Sequence, residues 1–129
     1  MERDYTANII FTTATNLTVK DKIQIKNFSA AAILNDSFAD NEMFDIKVDR
    51  ISLVDVHNEK AKDDKDYTVC VIESGEKTYR TSSQSFIEAI QDIDRELLDS
   101  GESISDYTLR CFKIKSKNNT GYILQATLA

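Results

Sequence analysis

The stretch Ser85–Asp99, SFIEAIQDIDRELLD, decides how the rest of the chain is read. Phe86, Ile90, Ile93 and Leu97 recur at i, i+4, i+7 and i+11, and Ile87 and Leu98 widen the stripe. That spacing is the apolar face of one amphipathic helix. Ser85 followed three residues later by Glu88 has the pattern of a capping box, with Ser82 and Ser83 as competing caps. Gly101, just past the last apolar residue, suits a left-handed terminator.

On both sides of this helix the pattern changes to strands. Upstream, MFDIKVDRISLVDV (Met43–Val56) is rich in β-branched residues, DYTVCVIES (Asp66–Ser74) follows a charged connection, and a turn at Ser74-Gly75-Glu76 leads into KTYRT (Lys77–Thr81). Downstream, YTLRCFKIKSK and GYILQATL flank Asn118-Asn119-Thr120-Gly121, a hairpin signal. Three strands, one helix and two strands is the order of a five-stranded OB-type barrel. The expected class is therefore mainly β with one prominent helix (α+β). The OB-like core spans residues 43–129, and residues 1–42 form an N-terminal β extension of the same single domain. Within that extension TANIIFTTA and DKIQIKNF read as strands, while SAAAILND reads as a short helix capped by Ser29 or a bent connection.

A chain of 129 residues suits one domain with its own core. It has no apolar run near the ~20 residues that cross a bilayer, and MERDYTANII lacks the apolar segment of a signal peptide. Cys70 and Cys111 lie far apart in apolar, strand-like runs, so we expect buried thiols in a reducing cytoplasm and neither a CxxC centre nor a metal site. His57 is the single histidine, and Asp55 shares its strand face. Two ligands on one strand are too few for a metal. Glycines at 75, 101 and 121 cannot build a phosphate-cradling loop. No catalytic residue and no cofactor is expected.

The charge is uneven. The formal net charge is -6, yet from Asp106 onward one acid faces Arg110, Lys113, Lys115 and Lys117; that segment carries +3, leaving -9 for residues 1–105. In an extended strand Lys113, Lys115 and Lys117 project to one side, with Phe112 and Ile114 on the other, where they would fill the core. Such a ladder can protect a sheet edge, or it can track phosphates, with bases stacked on nearby rings. The candidate nucleic-acid-binding residues are Arg110, Lys113, Lys115, Ser116, Lys117 and Asn118 on the hairpin, Lys77, Tyr79 and Arg80 on KTYRT, Tyr67 and Tyr122, and Lys60 and Lys62 in the first loop. The acidic balance of residues 1–105 also allows a protein-binding module that offers a DNA-like surface to a basic partner.

The runs VHNEK (Val56–Lys60), GEKTYRTSSQSFIEAI (Gly75–Ile90) and SKNNTGYIL (Ser116–Leu124) resemble small single-stranded DNA-binding proteins encoded by phages of Gram-positive bacteria. The resemblance covers about the last two thirds of the chain. It implies an OB-like fold, non-enzymatic binding of single strands during phage replication or recombination, contact with replication proteins, and a place in the host cytoplasm. By position it points to Tyr79, Thr81, Ser82, Ser83, Ser85, Ser116, Lys117 and Asn118. An inhibitor of a host defence or replication enzyme is the competing expectation.

Overall fold

The computed structural model describes residues 5–58, 66–75, 77–115 and 121–129. In chain order these form β1 (Tyr5–Thr12), α1 (Val19–Lys26), β2 (Ala32–Ile33), β3 (Phe44–Lys47), β4 (Arg50–Asn58), β5 (Asp66–Ser74), β6 (Lys77–Thr81), α2 (Gln84–Asp99), β7 (Thr108–Lys115) and β8 (Tyr122–Leu128). Single 3-10 turns occupy Phe28–Ala30, Leu34–Asp36 and Ile104–Asp106. The protein is mainly β, with eight strands in two sheets and two helices among the described residues. One sheet has the order β1-β4-β5-β6-β2, and the other β3-β7-β8. No described helix is long and apolar enough to cross a membrane.

The long apolar run from Phe44 to Asn58 is divided at Val48-Asp49. Its first half, β3, pairs antiparallel with β7, and its second half, β4, pairs antiparallel with β5. The corner is tied to the β5–β6 turn. Asp49 N–H donates to the Glu73 carbonyl at 2.8 Å, the Ser74 hydroxyl donates to the Lys47 carbonyl at 2.6 Å, and Gly75 N–H donates to the Asp49 carboxylate at 2.6 Å. Gly75 has φ +60°, which suits a residue without Cβ. The two sheets share no strand, and no closed barrel is formed among the described residues.

β4 and β5 carry near-continuous apolar runs because both faces of their sheet are covered. On one face Ile51, Leu53, Cys70, Ile72 and Tyr79 pack with Ile46, Leu109, Cys111 and Leu124 of the second sheet, and with Phe86, Ile87, Ile90 and Leu97 of α2. On the other face Ala7, Val54, Val56, Val69 and Val71 lie under Ile25 of α1 and Phe28. A strand buried on both sides loses the in–out alternation of a half-exposed one.

α2 agrees with its sequence pattern at most positions. Its stripe is buried at Phe86, Ile87, Ile90 and Leu97, whereas Leu98 is exposed. Its N-cap is Ser83, without a side-chain capping bond, so the Ser85–Glu88 box does not form. At the other end Gly101 (φ +73°) donates to the Leu98 carbonyl and Glu102 N–H to the Leu97 carbonyl, a Schellman closure.

Two expectations for residues 1–42 are corrected. Residues in DKIQIKNF form helix α1 rather than a strand. Thr18 and Asp21 make a reciprocal capping box that starts the helix, and Ile25 packs with Val54, Val56, Val69 and Val71. The Ser29–Asp36 stretch is neither one helix nor a plain bend. It holds a two-residue strand, β2, parallel to β6, between two 3-10 turns. β1 adds to the far side of β4 and belongs to the main sheet, so the extension shares the core of the domain.

Candidate nucleic-acid interface

β7 and β8 form the hairpin that carries most of the candidate residues. Its register pairs Leu109 with Leu128, Cys111 with Ala126, Lys113 with Leu124, and Lys115 with Tyr122. Leu109 and Cys111 are fully buried, so the odd-numbered face of β7 looks into the core. Phe112 is partly exposed and Ile114 exposed, which corrects their assignment as core anchors. The lysine face and the core face are one face, which leaves the core only at the loop end of the hairpin.

That geometry divides the lysine ladder. Lys113 bends onto the Leu34–Asp36 turn and the residues after it, and its side chain is 10% exposed. Its ammonium donates to the Asn35 carbonyl at 2.7 Å, to the Phe38 carbonyl at 3.0 Å and to the Asp40 carboxylate at 3.1 Å, and it lies 4.6 Å from the Phe38 ring centroid. All three of its protons are committed within the chain. Lys115, one pair further out, is exposed and faces Tyr122, which is 53% exposed. Tyr122 also borders a cleft of roughly 260 Å³ with Asn35, Asp40, Lys113 and Leu124.

The other described candidates divide in the same way. Arg110 lies opposite Asp45 on β3 and binds its carboxylate through two bonds of 2.9 and 3.0 Å. The guanidinium holds the Asp45 carboxyl below the usual carboxylate range, and the carboxylate raises Arg110 in turn. Tyr79 is only 8% exposed, and its ring meets Phe44 edge-on at 5.5 Å, so it serves as core rather than as a stacking platform. Arg80 points to the opposite face, and its Nε donates to the Ala31 carbonyl at 3.3 Å. Lys77 and Tyr67 are exposed at the starts of their strands. Lys60, Lys62, Ser116, Lys117 and Asn118 lie outside the described residues.

Three of the hydroxyl residues singled out by the resemblance are joined to neighbouring elements. Thr81 donates to the Asn35 side-chain oxygen at 2.8 Å, Ser83 shares a hydrogen bond with Ser85, and Ser85 donates to the Leu124 carbonyl at 3.0 Å. Asn35 therefore joins β6 to β7, accepting from Thr81 through its side chain and from Lys113 through its carbonyl. Sequence reading missed Asn35, Phe38 and Asp40. One signal was available, since Lys113 shares parity with Leu109 and Cys111 and so had to start from the buried face.

Asp55 accepts a bond from Thr68 at 2.8 Å, and His57 pairs with Asp66 across the strands. Among the described residues no group of three or more His, Cys, Asp or Glu is arranged to hold a metal. Among the described residues the hairpin end offers one cation and one ring, both accessible, and Tyr122 borders the cleft. Comparison with protein-family models, curated proteins and solved structures returned no match to this chain.

Proposed function

We propose that the protein binds single-stranded DNA without acting on it chemically, and that the loop end of the β7–β8 hairpin is its principal contact. The Lys115–Tyr122 pair carries the reading: an exposed ammonium and an exposed ring held opposite each other by strand register. A phosphate contact beside a stacking platform is how sequence-tolerant single-strand binders work. The strand plan adds support. Residues 44–58 pair with both β5 and β7, as the first strand of an OB-type barrel pairs with its second and fourth, and α2 stands between the third and fourth. On that plan the hairpin loop is one of the two loops that flank the ligand. Phage replication or recombination in the host cytoplasm is the setting this activity suits, with replication proteins as partners.

Titration of a labelled oligo-dT at two salt concentrations tests the proposal. Binding is expected to weaken steeply with salt, and Lys115→Ala to flatten the slope by about one. Tyr122→Ala is expected to weaken binding by about 1–3 kcal/mol with the slope unchanged. Failure of the wild-type protein to retain the oligonucleotide at low salt defeats the proposal. A second reading rests on the exposed acidic side of α2, where Glu88, Asp92, Glu96 and Asp99 are accessible. It makes the protein an acidic module for a basic protein partner, and it requires a complex that survives nuclease and is lost with Glu88→Lys and Glu96→Lys together.

A further inference from the structure

We infer that the cleft between Asn35, Asp40 and Tyr122 reads one base of the bound strand, favouring a base with an exocyclic amine, cytosine or adenine, over thymine or uracil. This rests on the single-strand binding proposed for the hairpin end and adds a specificity to it. The cleft, roughly 260 Å³, is lined by Asn35, Asp40, Lys113, Tyr122 and Leu124. A volume below that of drug-sized pockets suits a single base rather than a larger ligand. Tyr122 and Leu124 are two apart on β8 and so share a face, with Leu124 buried and Tyr122 exposed beyond it. A base stacked on the cleft side of that ring turns its edge toward Asn35 and Asp40.

Two polar groups of the cleft keep unused hydrogen-bonding capacity. Asp40 gives Oδ1 to the Lys113 ammonium at 3.1 Å, and among the described residues no hydrogen bond engages its Oδ2. Asn35 is oriented by Thr81. The Thr81 hydroxyl oxygen accepts from Ser83 N–H at 3.2 Å and donates its proton to Asn35 Oδ1 at 2.8 Å, which leaves the Asn35 amide nitrogen to donate. One acceptor and one donor thus stand on residues that a single ammonium holds, since Lys113 also binds the Asn35 carbonyl at 2.7 Å. Cytosine and adenine carry an amine beside a ring nitrogen on their pairing edge, a donor next to an acceptor, and a carboxylate is the natural partner of the cytosine amine. Thymine and uracil have a carbonyl in place of the amine. Their one N–H lies between two carbonyl oxygens, whose lone pairs would face the carboxylate. Lys113 also balances the charge of Asp40, so the carboxylate can stand near the strand without repelling its phosphates.

The test titrates the full chain into fluorescein-labelled oligo-dT, oligo-dU, oligo-dC and oligo-dA of one length at one salt concentration, read by anisotropy. Oligo-dC and oligo-dA are expected to bind about five- to tenfold tighter than oligo-dT, the low end for a bidentate base contact because Asp40 is half-exposed. The tighter of the two identifies the base. Oligo-dU is expected to match oligo-dT. A strand with pyrimidinone in place of cytosine, which lacks the amine, is expected to lose the advantage. Asp40→Asn is expected to abolish the difference between oligo-dC and oligo-dT, because an amide can also donate to a thymine carbonyl. If that variant is unstable, the pyrimidinone strand decides the matter with the native protein. Oligo-dT binding as tightly as both oligo-dC and oligo-dA overturns the inference while DNA binding stands. Oligo-dU matching oligo-dC assigns the preference to the thymine methyl group and overturns it as well. An undiminished preference for the pyrimidinone strand, or in folded Asp40→Asn, has the same result. Failure to bind any of these strands rejects the single-strand reading and this inference together.

Discussion

Lys113→Met removes an ammonium and leaves a side chain of similar reach, so it isolates the charge. In the folded protein that ammonium holds two carbonyls and one carboxylate and sits over the Phe38 ring. The two carbonyl bonds are worth about 1.5 kcal/mol each, the lower end for a charged donor, because Asn35 is exposed and water can replace part of its bond. The ring adds about 0.5–1 kcal/mol, and the half-exposed Asp40 about 0.5 or less. Methionine returns roughly 1 kcal/mol by avoiding the desolvation of a nearly buried charge. The net loss is about 2.5–3.5 kcal/mol, and at about 4 °C per kcal/mol for a chain of this size the Tm falls by about 10–14 °C. Urea denaturation followed by circular dichroism measures the free energy, and a thermal scan measures the midpoint. A loss below about 0.5 kcal/mol, together with a salt slope for oligonucleotide binding reduced by about one, would show Lys113 to be a phosphate contact and refute the clamp.

Arg50 is bound by Glu73 through bonds of 2.8 and 2.7 Å and by Asp21 at 3.2 Å, so Arg50→Met leaves two carboxylates facing each other without their cation. The expected loss is about 2–3 kcal/mol, read from the urea midpoint. Acid acts in two directions. Asp21 is held below its ordinary 3.8 by its Thr18 backbone bond and by Arg50, and Asp45 by Arg110. Their stabilisation is complete above that value and is lost as the pH falls through the depressed ones. Asp94 is raised by burial, so its charge opposes folding at neutral pH and the penalty fades as the pH falls through its raised value. Asp94→Asn is therefore expected to raise the Tm at neutral pH, with the gain shrinking on acidification; a lowered Tm would contradict this. Burial pushes the Cys111 thiol up to about 12 and Cys70 further still. A disulfide reagent is expected to modify both only at the rate of unfolding, and fast labelling of the native protein would contradict their burial.

The elements legible in the sequence were those whose pattern has a single physical cause. α2 showed because one of its faces is buried and the opposite face is wet. The corner at Val48-Asp49 did not show, because a strand that changes sheets keeps the composition of a strand, and the bonds that fix it come from residues 73–75, distant in sequence. α1 was read as a strand because Ile23 and Ile25 alternate with polar residues. Only Ile25 is buried, and the capping pair Thr18 and Asp21 outweighed a two-residue alternation. In the candidate site the parity of β7 was right and its direction was reversed. Leu109 and Cys111 already placed the odd-numbered face inward, and a lysine on that face emerges only where the core ends, at Lys115.

That reversal links the N-terminal extension to the site. In an OB-type reading the usual ligand surface is the outer face of strands two and three, here β5 and β6. Val69 and Val71 on that face are buried beneath Ile25 and Phe28, and Arg80 beside them bonds to Ala31. A nucleic-acid strand crossing this face would have to displace α1 and expose a packed apolar cluster, at about 1.5–3 kcal/mol for each large side chain. A few surface phosphate contacts cannot offset several such losses. A contact at the hairpin end disturbs none of that packing. Lys115 and Tyr122 are already exposed there, while Lys113 holds Asn35 and Asp40, which line a cleft together with Tyr122. The extension thus closes one surface of the sheet and, through Asn35, Phe38 and Asp40, shapes the other. The clamp and the proposed contact are adjacent residues on the same face of one strand, so the stability of Lys113→Met and the salt slope of Lys115→Ala are independent measurements of where the core stops and the site begins.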